Sequence, residues 1–225
     1  MAERFISFAS ALLFGLLATN APPAWSDTRR QWDFQVTLDG QPIGEHRFMS
    51  SVSGDDRQIS SDASFVVKML GLAVYRYRHQ AIEQWRGDCL TGLASTTEEN
   101  GKTTRVRAEA EGPAPVPGDT AQSLDGCVMS FAYWNPAILT QTRLFNAQTG
   151  RAETVQVKPQ GSDTIEVRGV PVAASRWRIT GTAQPIDLWY AAEGEWIGLD
   201  STVSGGRRLS YRLKWGAAGA ASGSS

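Results

Sequence analysis

Strict alternation of apolar and polar residues is the feature that most constrains the fold of this chain. In the stretch "QWDFQVTL", one face of an extended chain carries four large apolar side chains, Trp32, Phe34, Val36 and Leu38. The same period of two returns in "LAVYRYRHQAIEQW" and in "RRLSYRLKW". A helix would scatter these side chains around its axis, so the pattern predicts half-buried β-strands.

Turn signals divide the chain into many short strands. Asn100-Gly101 is a strong two-residue turn and predicts a hairpin between "CLTGLASTTEE" and "KTTRVRAEAE". After Gly150 come six alternating segments, with predicted turns at Gly161, Gly169, Gly194 and Gly205-Gly206. These features predict an all-β domain with a curved antiparallel sheet, either a half-barrel or a barrel-like meander.

Two segments interrupt the alternation. Residues 111–126, "EGPAPVPGDTAQSLDG", are rich in proline and glycine and are predicted to form a long surface loop outside the sheet ladder. A short helix can start at Pro136, and "NAQTG" is expected to form a turn. At most one or two short helices are therefore expected.

The first hairpin leaves the direction of His46 open. A three-residue loop at "DGQ" would place His46 opposite Phe34 and Phe48 opposite Trp32, on the apolar face. A two-residue loop would turn His46 outward, because a slip of one residue exchanges the two faces of a strand.

The amino-terminal stretch has the features of a secretory signal peptide. Arg4 precedes a short apolar run from Phe5 to Ala18, and small residues follow. We expect residues 1–26 to be removed before Asp27, with a cut after Ala21 as the alternative. An exported protein, periplasmic or secreted, is predicted, with a single β domain at 27–215 and a flexible tail at 216–225. No transmembrane segment is expected after processing, because the run is shorter than the roughly 20 apolar residues that span a bilayer.

Export gives the two cysteines an oxidising environment. Cys89 and Cys127 are therefore predicted to form a disulfide. The bridge would close a loop of roughly 40 residues and stabilise the fold by about 4 kcal/mol. The alternative, a catalytic thiol with His79 as its base, lacks an orienting third residue at a recognisable spacing.

Charge and motifs argue against several functions. The formal net charge is −1, which does not indicate a nucleic-acid-binding surface. The only histidines, His46 and His79, fall on different predicted strands, so neither a metal site nor a cofactor is expected. The chain also lacks a GxSxG elbow, a paired-histidine helix and a phosphate-binding glycine loop.

Aromatic residues provide the candidate binding site. Most of the tryptophans are expected in the core, but a curved sheet also offers a concave face for a ligand. The predicted ligand-binding residues are Tyr75, Tyr77, His79, Tyr133, Trp134 and Asn135. Within "FAYWNP" the alternation predicts the end of a strand, because Pro136 favours an extended Asn135 and ends the ladder.

Three functional hypotheses follow from these patterns. The leading one is an exported soluble binding or carrier module for an apolar or amphipathic, lipid-like ligand. A second is a hydrolase or isomerase whose site is assembled from distant strands around His79 or His46. A third is a structural or interaction domain without a small ligand. The sequence predicts no oligomeric state.

Four motifs carry a resemblance that covers most of the chain. These are "LDGQPIGEHRF", "CVMSFAYWNP", "LFNAQTGR" and "IDLWYAAEGEWIGL". As a set they resemble a family of exported bacterial proteins that is catalogued only as a domain of unknown function. The resemblance implies a predominantly β periplasmic domain and no particular reaction. The one-sided aromatic sheet is also similar, in architecture alone, to half-barrel carriers of lipids and lipoproteins in the periplasm.

Overall fold

The computed structural model describes residues 28–110, 112 and 116–217. In that part of the chain there are fourteen strands and two short 3₁₀ helices, Pro136–Thr140 and Ser204–Gly206. The strands are β1 (Thr28–Leu38), β2 (Gln41–Ser53), β3 (Asp56–Met69), β4 (Leu72–Arg86), β5 (Cys89–Glu99), β6 (Lys102–Glu109), β7 (Asp119–Ser123), β8 (Arg143–Asn146), β9 (Arg151–Thr154), β10 (Gln156–Val167), β11 (Val170–Thr180), β12 (Ile186–Ala191), β13 (Trp196–Val203) and β14 (Arg207–Ala217).

Twelve of the strands form one sheet, in the order β10-β11-β12-β13-β14-β1-β2-β3-β4-β5-β6-β7. Neighbours are antiparallel except β6 and β7, which pair in parallel, and β8 and β9 form a separate hairpin. The terminal strands β10 and β7 do not pair with each other, so the sheet is open. The prediction of an all-β fold with a large antiparallel sheet and few short helices is confirmed.

The sheet is strongly curved. Tyr211 on β14 and Phe65 on β3 are separated by two intervening strands, yet their ring centroids lie only 6.2 Å apart. In a flat sheet, strands that far apart would be separated by about 14 Å. The curvature brings side chains of the two halves of the sheet into one core on the concave side.

A β-bulge decides the direction of His46. The first hairpin has the two-residue turn Asp39-Gly40, which by itself would face His46 outward. Between Val36 and Thr37 the β1–β2 register shifts, because β2 holds one extra residue next to Gly44. The bulge restores the pairing of His46 with Phe34. His46 therefore lies on the concave face even though the loop has two residues and not three.

Several local predictions need correction. Part of the predicted surface loop, Asp119–Ser123, forms strand β7 at the sheet edge, because a parallel edge strand needs only one paired neighbour. Gly161 lies inside β10, next to a β-bulge at Gln160, and is not a turn. The predicted hairpin at Asn100-Gly101 is confirmed, as is the turn in "NAQTG". Of the predicted tail, residues 216 and 217 belong to β14, and the rest lies outside the described residues, as does the predicted signal peptide.

The segment "FAYWNP" is not a strand. Ser130 makes one isolated bridge to Phe145, after which the chain turns and enters the 3₁₀ helix at Pro136. The Asn135 side chain caps this helix by accepting a hydrogen bond from the Ala137 amide at 3.0 Å. Local capping and proline geometry therefore outweigh the strand pattern here, whereas the predicted short helix at Pro136 is confirmed.

Residues 127–154 cross the concave face of the sheet, and we call them the crossing segment. Its start is tied to β5 by the Cys89–Cys127 disulfide. Further along, Ser95 on β5 donates a hydrogen bond to the Ala147 carbonyl at 2.5 Å. In the other half of the curved sheet, the Tyr190 hydroxyl on β12 donates a hydrogen bond to the Tyr133 carbonyl at 2.8 Å. The crossing segment therefore spans the interior between the two halves of the curved sheet.

None of the helices within the described residues is long and apolar enough to cross a membrane.

Candidate functional site

A hollow in the concave face results from three small side chains in the middle of the sheet. Ala63 on β3 lies between His46 and His79, its partners on β2 and β4. Two residues further along the same face, Ser61 on β3 pairs directly with Ala81 on β4. Large side chains surround these positions, so the small ones leave space that the neighbouring rings do not fill.

The resulting cavity has a volume of about 360 Å³. The sheet side of its wall is formed by β2, β3 and β4, and the opposite side by β13 and β14, with the crossing segment and the β11–β12 loop at the rim. Its lining includes eight aromatic or imidazole rings: His46, Phe48, Tyr77, His79, Phe131, Tyr133, Trp196 and Tyr211. The cavity is therefore mainly aromatic, with polar groups at a few points.

His46 is the unusual polar group of this wall. Both of its ring nitrogens are buried, and neither has a hydrogen-bond partner. The ring stacks on Phe48 with a centroid distance of 4.0 Å and faces Tyr211 at 5.8 Å. Burial, and secondarily the nearby charge of His79, lower the pKa of His46 to about 3. At neutral pH the imidazole is thus uncharged, with one free donor and one free acceptor.

One ring nitrogen of His79 has a hydrogen-bond partner in the protein. Its Nδ1 lies 2.8 Å from the Thr97 hydroxyl on β5. Burial lowers the pKa of His79 to about 4, and the charge of Asp62 opposes this change. His79 therefore presents a neutral ring to the cavity and is held in place by the neighbouring strand.

Glu83 closes one end of the cavity. Burial raises the pKa of its carboxyl group to about 7. Trp85 opposes the rise by donating its indole N–H to Glu83 Oε2 at 3.0 Å. The Ser130 hydroxyl also lowers the pKa, although it forms no hydrogen bond of ordinary geometry. Near neutral pH a large fraction of Glu83 is therefore uncharged.

Replacing Glu83 with glutamine should make stability less dependent on pH. The raised pKa means that the folded state holds a proton which the unfolded state loses above pH 4.5, so native stability falls as pH rises from 4.5 to 7. The Glu83→Gln variant has no carboxyl group at this position, so its stability does not fall in this way. We expect its free energy of unfolding, relative to that of the native chain, to increase by about 3 kcal/mol between pH 4.5 and pH 8.

Urea unfolding at the two pH values measures this difference. Glu98→Gln, which removes an exposed carboxylate from β5, is the matched control and should show no such growth. If the difference in free energy of unfolding between Glu83→Gln and the native chain is equal at both pH values, Glu83 ionises normally.

The structure brings together half of the residues predicted for ligand binding. Tyr77, His79 and Tyr133 line the cavity. Tyr75 lies on the same face of β4 but outside the lining, and its hydroxyl donates to Glu99 at 3.1 Å. Trp134 packs edge-on against Trp85 at 5.3 Å, beyond the main cavity.

Asn135 is held by the protein and does not face the cavity. Besides capping the 3₁₀ helix, it donates a hydrogen bond from Nδ2 to Asp88 at 2.9 Å. Its position next to Tyr133 and Trp134 in the sequence does not place it beside them at the site, because the chain turns between them.

Seven ring-bearing or acidic residues of the wall were not among the predicted binding residues: His46, Phe48, Glu83, Phe131, Glu153, Trp196 and Tyr211. The alternation placed Glu83 on the same face of β4 as Tyr77 and His79, which were predicted to bind the ligand. Tyr211 also lay in an alternating segment, but the pattern does not show that β14 pairs with β1, or β13 with β14, and these pairings bring Tyr211 and Trp196 to the site.

The enzymatic hypothesis required a histidine that meets a carboxylate or a serine. Among the described residues, His79 bonds a threonine and His46 bonds nothing. No group of three or more His, Cys, Asp or Glu that could hold a metal ion occurs in the described part of the chain.

Comparisons with known proteins agree with the architecture. No curated protein sequence matches this chain. Among solved structures, a crystal structure titled as a beta-barrel-like protein of domain of unknown function DUF1849, from Brucella abortus, is similar with a TM-score of 0.60 and 12% identity. The match covers 84% of this chain and 97% of that one, and it shows a shared fold. Residues 34–214 match the family described as "Domain of unknown function (DUF6134)", and the chain belongs to that family.

Proposed function

We propose that this protein is an exported soluble module that binds one small apolar or amphipathic, lipid-like ligand in the concave cavity. The observation that carries the proposal is the pair of unpartnered ring nitrogens of His46 in a hollow lined with aromatic rings. A buried polar group without a partner costs free energy, and a bound ligand with a hydrogen-bonding group would remove that cost. Export rests on the signal-like segment at residues 1–26.

The size and polarity of the cavity define the ligand class. A volume of about 360 Å³ lies at the lower end of the roughly 300–1,000 Å³ typical of small-molecule sites. It suits one compact ligand or one end of an acyl chain. A charged group would be costly to bury beside neutral His46, so we expect a hydroxyl, a carbonyl or a protonated carboxyl group at the buried end.

Filling the cavity should weaken ligand binding strongly. Ala81→Phe places a ring in the hollow, and Ala63→Leu fills it less drastically. Ile82→Phe is the matched control, because Ile82 is the next residue of β4 and its side chain is exposed on the opposite face. We expect both cavity variants to weaken binding of an environment-sensitive fluorescent fatty acid at least tenfold, whereas Ile82→Phe binds as the native chain does.

Thermal unfolding of all three variants checks that they are folded. Two results would contradict the proposal: a native chain that does not bind the probe, or folded cavity variants that bind it as tightly as Ile82→Phe.

A further inference from the structure

The β3–β4 hairpin projects beyond the rest of the sheet. Pairing of β3 with β2 ends at Phe65, and pairing of β4 with β5 begins at Tyr77. Residues 66–76, which we call the projecting ribbon, therefore extend past both neighbouring strands by roughly 13 Å, the length of four extended residues. The base of the ribbon contacts its neighbours: Arg76 and Asn100 exchange hydrogen bonds, and the Tyr75 hydroxyl donates to Glu99. The Val67 side chain is buried, whereas the residues from Lys68 to Val74 are exposed.

The end of this ribbon is apolar and exposed. Met69 is 61% exposed, Leu70 102%, Leu72 72% and Val74 51%. Four large apolar side chains gathered at one tip are rarely left in water on a soluble protein unless another surface covers them. Because these side chains stay exposed, they bury little apolar surface when the chain folds and contribute little to its stability.

Leu70 is poorly suited to the turn it occupies. Its φ is 50°, and Gly71 follows with a φ of 81°, a turn that favours asparagine or glycine at the first position. The equivalent turn between β5 and β6 has Asn100-Gly101. A leucine at the strained position indicates that the side chain serves a contact at the tip more than the turn itself.

The charge pattern of the ribbon points to its partner. Between residues 66 and 76 there are two basic side chains, Lys68 and Arg76, and no acidic one. Both are exposed and lie behind the apolar tip. The acidic residues Glu98 and Glu99 begin one row below the ribbon, opposite Arg78 and Tyr77, and Glu99 accepts the Tyr75 hydroxyl.

We propose that the projecting ribbon docks on the surface of a lipid bilayer that contains anionic lipids. The apolar tip would enter the interface, with Lys68 and Arg76 at the depth of the headgroups and Tyr75 between them along the ribbon. Apolar side chains followed by aromatic and basic ones are typical of interfacial anchors. A second copy of the chain fits less well. A stable dimer buries about 800 Å² and 20–30 residues on each partner, and the ribbon offers eleven residues.

The inner face of β4 connects the ribbon to the cavity. Tyr75 lies in the ribbon, and Tyr77 and His79 follow on the same face and line the cavity. A ligand taken from the bilayer would thus have a continuous aromatic path into the site. This connection rests on the proposed function, whereas docking on a bilayer does not.

Vesicle co-sedimentation tests the docking. We would use the chain from Asp27 onward, because the apolar run at residues 5–18 could itself bind lipid and all described strands lie within 28–217. The vesicles contain phosphatidylethanolamine and phosphatidylglycerol. We expect Leu70→Asn with Leu72→Thr to weaken binding at least tenfold. The same Leu70→Asn change should raise the midpoint of thermal unfolding, because asparagine suits the turn.

Matched variants separate the apolar and the electrostatic contributions to vesicle binding. Ile82→Thr removes an exposed apolar side chain from β4 outside the ribbon and should leave vesicle binding unchanged. Lys68→Gln and Arg76→Gln should each weaken binding roughly fivefold on anionic vesicles and much less on vesicles of phosphatidylcholine alone.

Several outcomes would overturn the docking proposal. One is a Leu70→Asn, Leu72→Thr variant that binds vesicles as the native chain does. Another is a native chain that forms dimers in sedimentation analysis which the same variant loses, because the tip would then be a contact between copies. Ala81→Phe distinguishes the two proposals, since it should strongly weaken binding of the fatty acid and leave vesicle binding intact.

Discussion

Replacing His46 with phenylalanine is expected to remove much of the protein's sensitivity to acid. The folded state lowers the pKa of His46 from 6.5 to about 3, so the unfolded chain takes up a proton that the folded chain does not. The stability contributed by the neutral ring is complete above pH 6.5 and is lost as the pH falls towards 3. The full loss is on the order of 5 kcal/mol.

Urea unfolding at pH 7.5 and pH 4 tests this prediction. At pH 4 we expect His46→Phe to gain about 3 kcal/mol relative to the native chain, beyond any difference seen at pH 7.5. Phe48→Leu changes the adjacent, non-titrating ring and should alter stability equally at both pH values. An equal effect of His46→Phe at the two pH values would show that His46 reaches solvent and titrates normally.

Removing the disulfide is the second change with a large expected effect. Cys89 and Cys127 are 38 residues apart, and the bridge restricts the unfolded chain. Cys89→Ala with Cys127→Ala should lower stability by about 4 kcal/mol on the loop-closure account. The bridge also ties the start of the crossing segment to β5, so the cavity should lose part of its cover at the same time.

Thermal unfolding under oxidising and reducing conditions measures this effect. For a domain of this size we expect the midpoint to fall by about 10 °C in the double variant. Reductant should lower the midpoint of the native chain towards that of the variant and leave the variant unchanged. If the double variant loses less than about 1 kcal/mol of stability, the unfolded chain is already restricted near this loop without the disulfide.

What the sequence predicted well was local. The alternation in β4 placed Tyr77 and His79 on the concave face, and the pairing of Cys89 with Cys127 agrees with the structure. Such features depend on the period of an extended chain and on the count of cysteines, both of which are visible without knowledge of the fold.

The rest of the site depends on contacts between distant segments. Whether His46 faces inward is decided by the bulge at Gly44, which no simple period reveals. Tyr211 reaches His46 only because β14 pairs with β1, and Trp196 follows on β13. The sequence around Leu70 does not show that this turn projects, because only the register of the neighbouring strands reveals it.

The most direct test of the binding proposal is a crystal structure of protein purified without any step that removes lipid. We expect continuous non-protein density in the cavity, with a polar atom within hydrogen-bond distance of a ring nitrogen of His46. A cavity that holds only ordered waters on His46, in protein that also fails to bind the fluorescent fatty acid, would contradict the proposal.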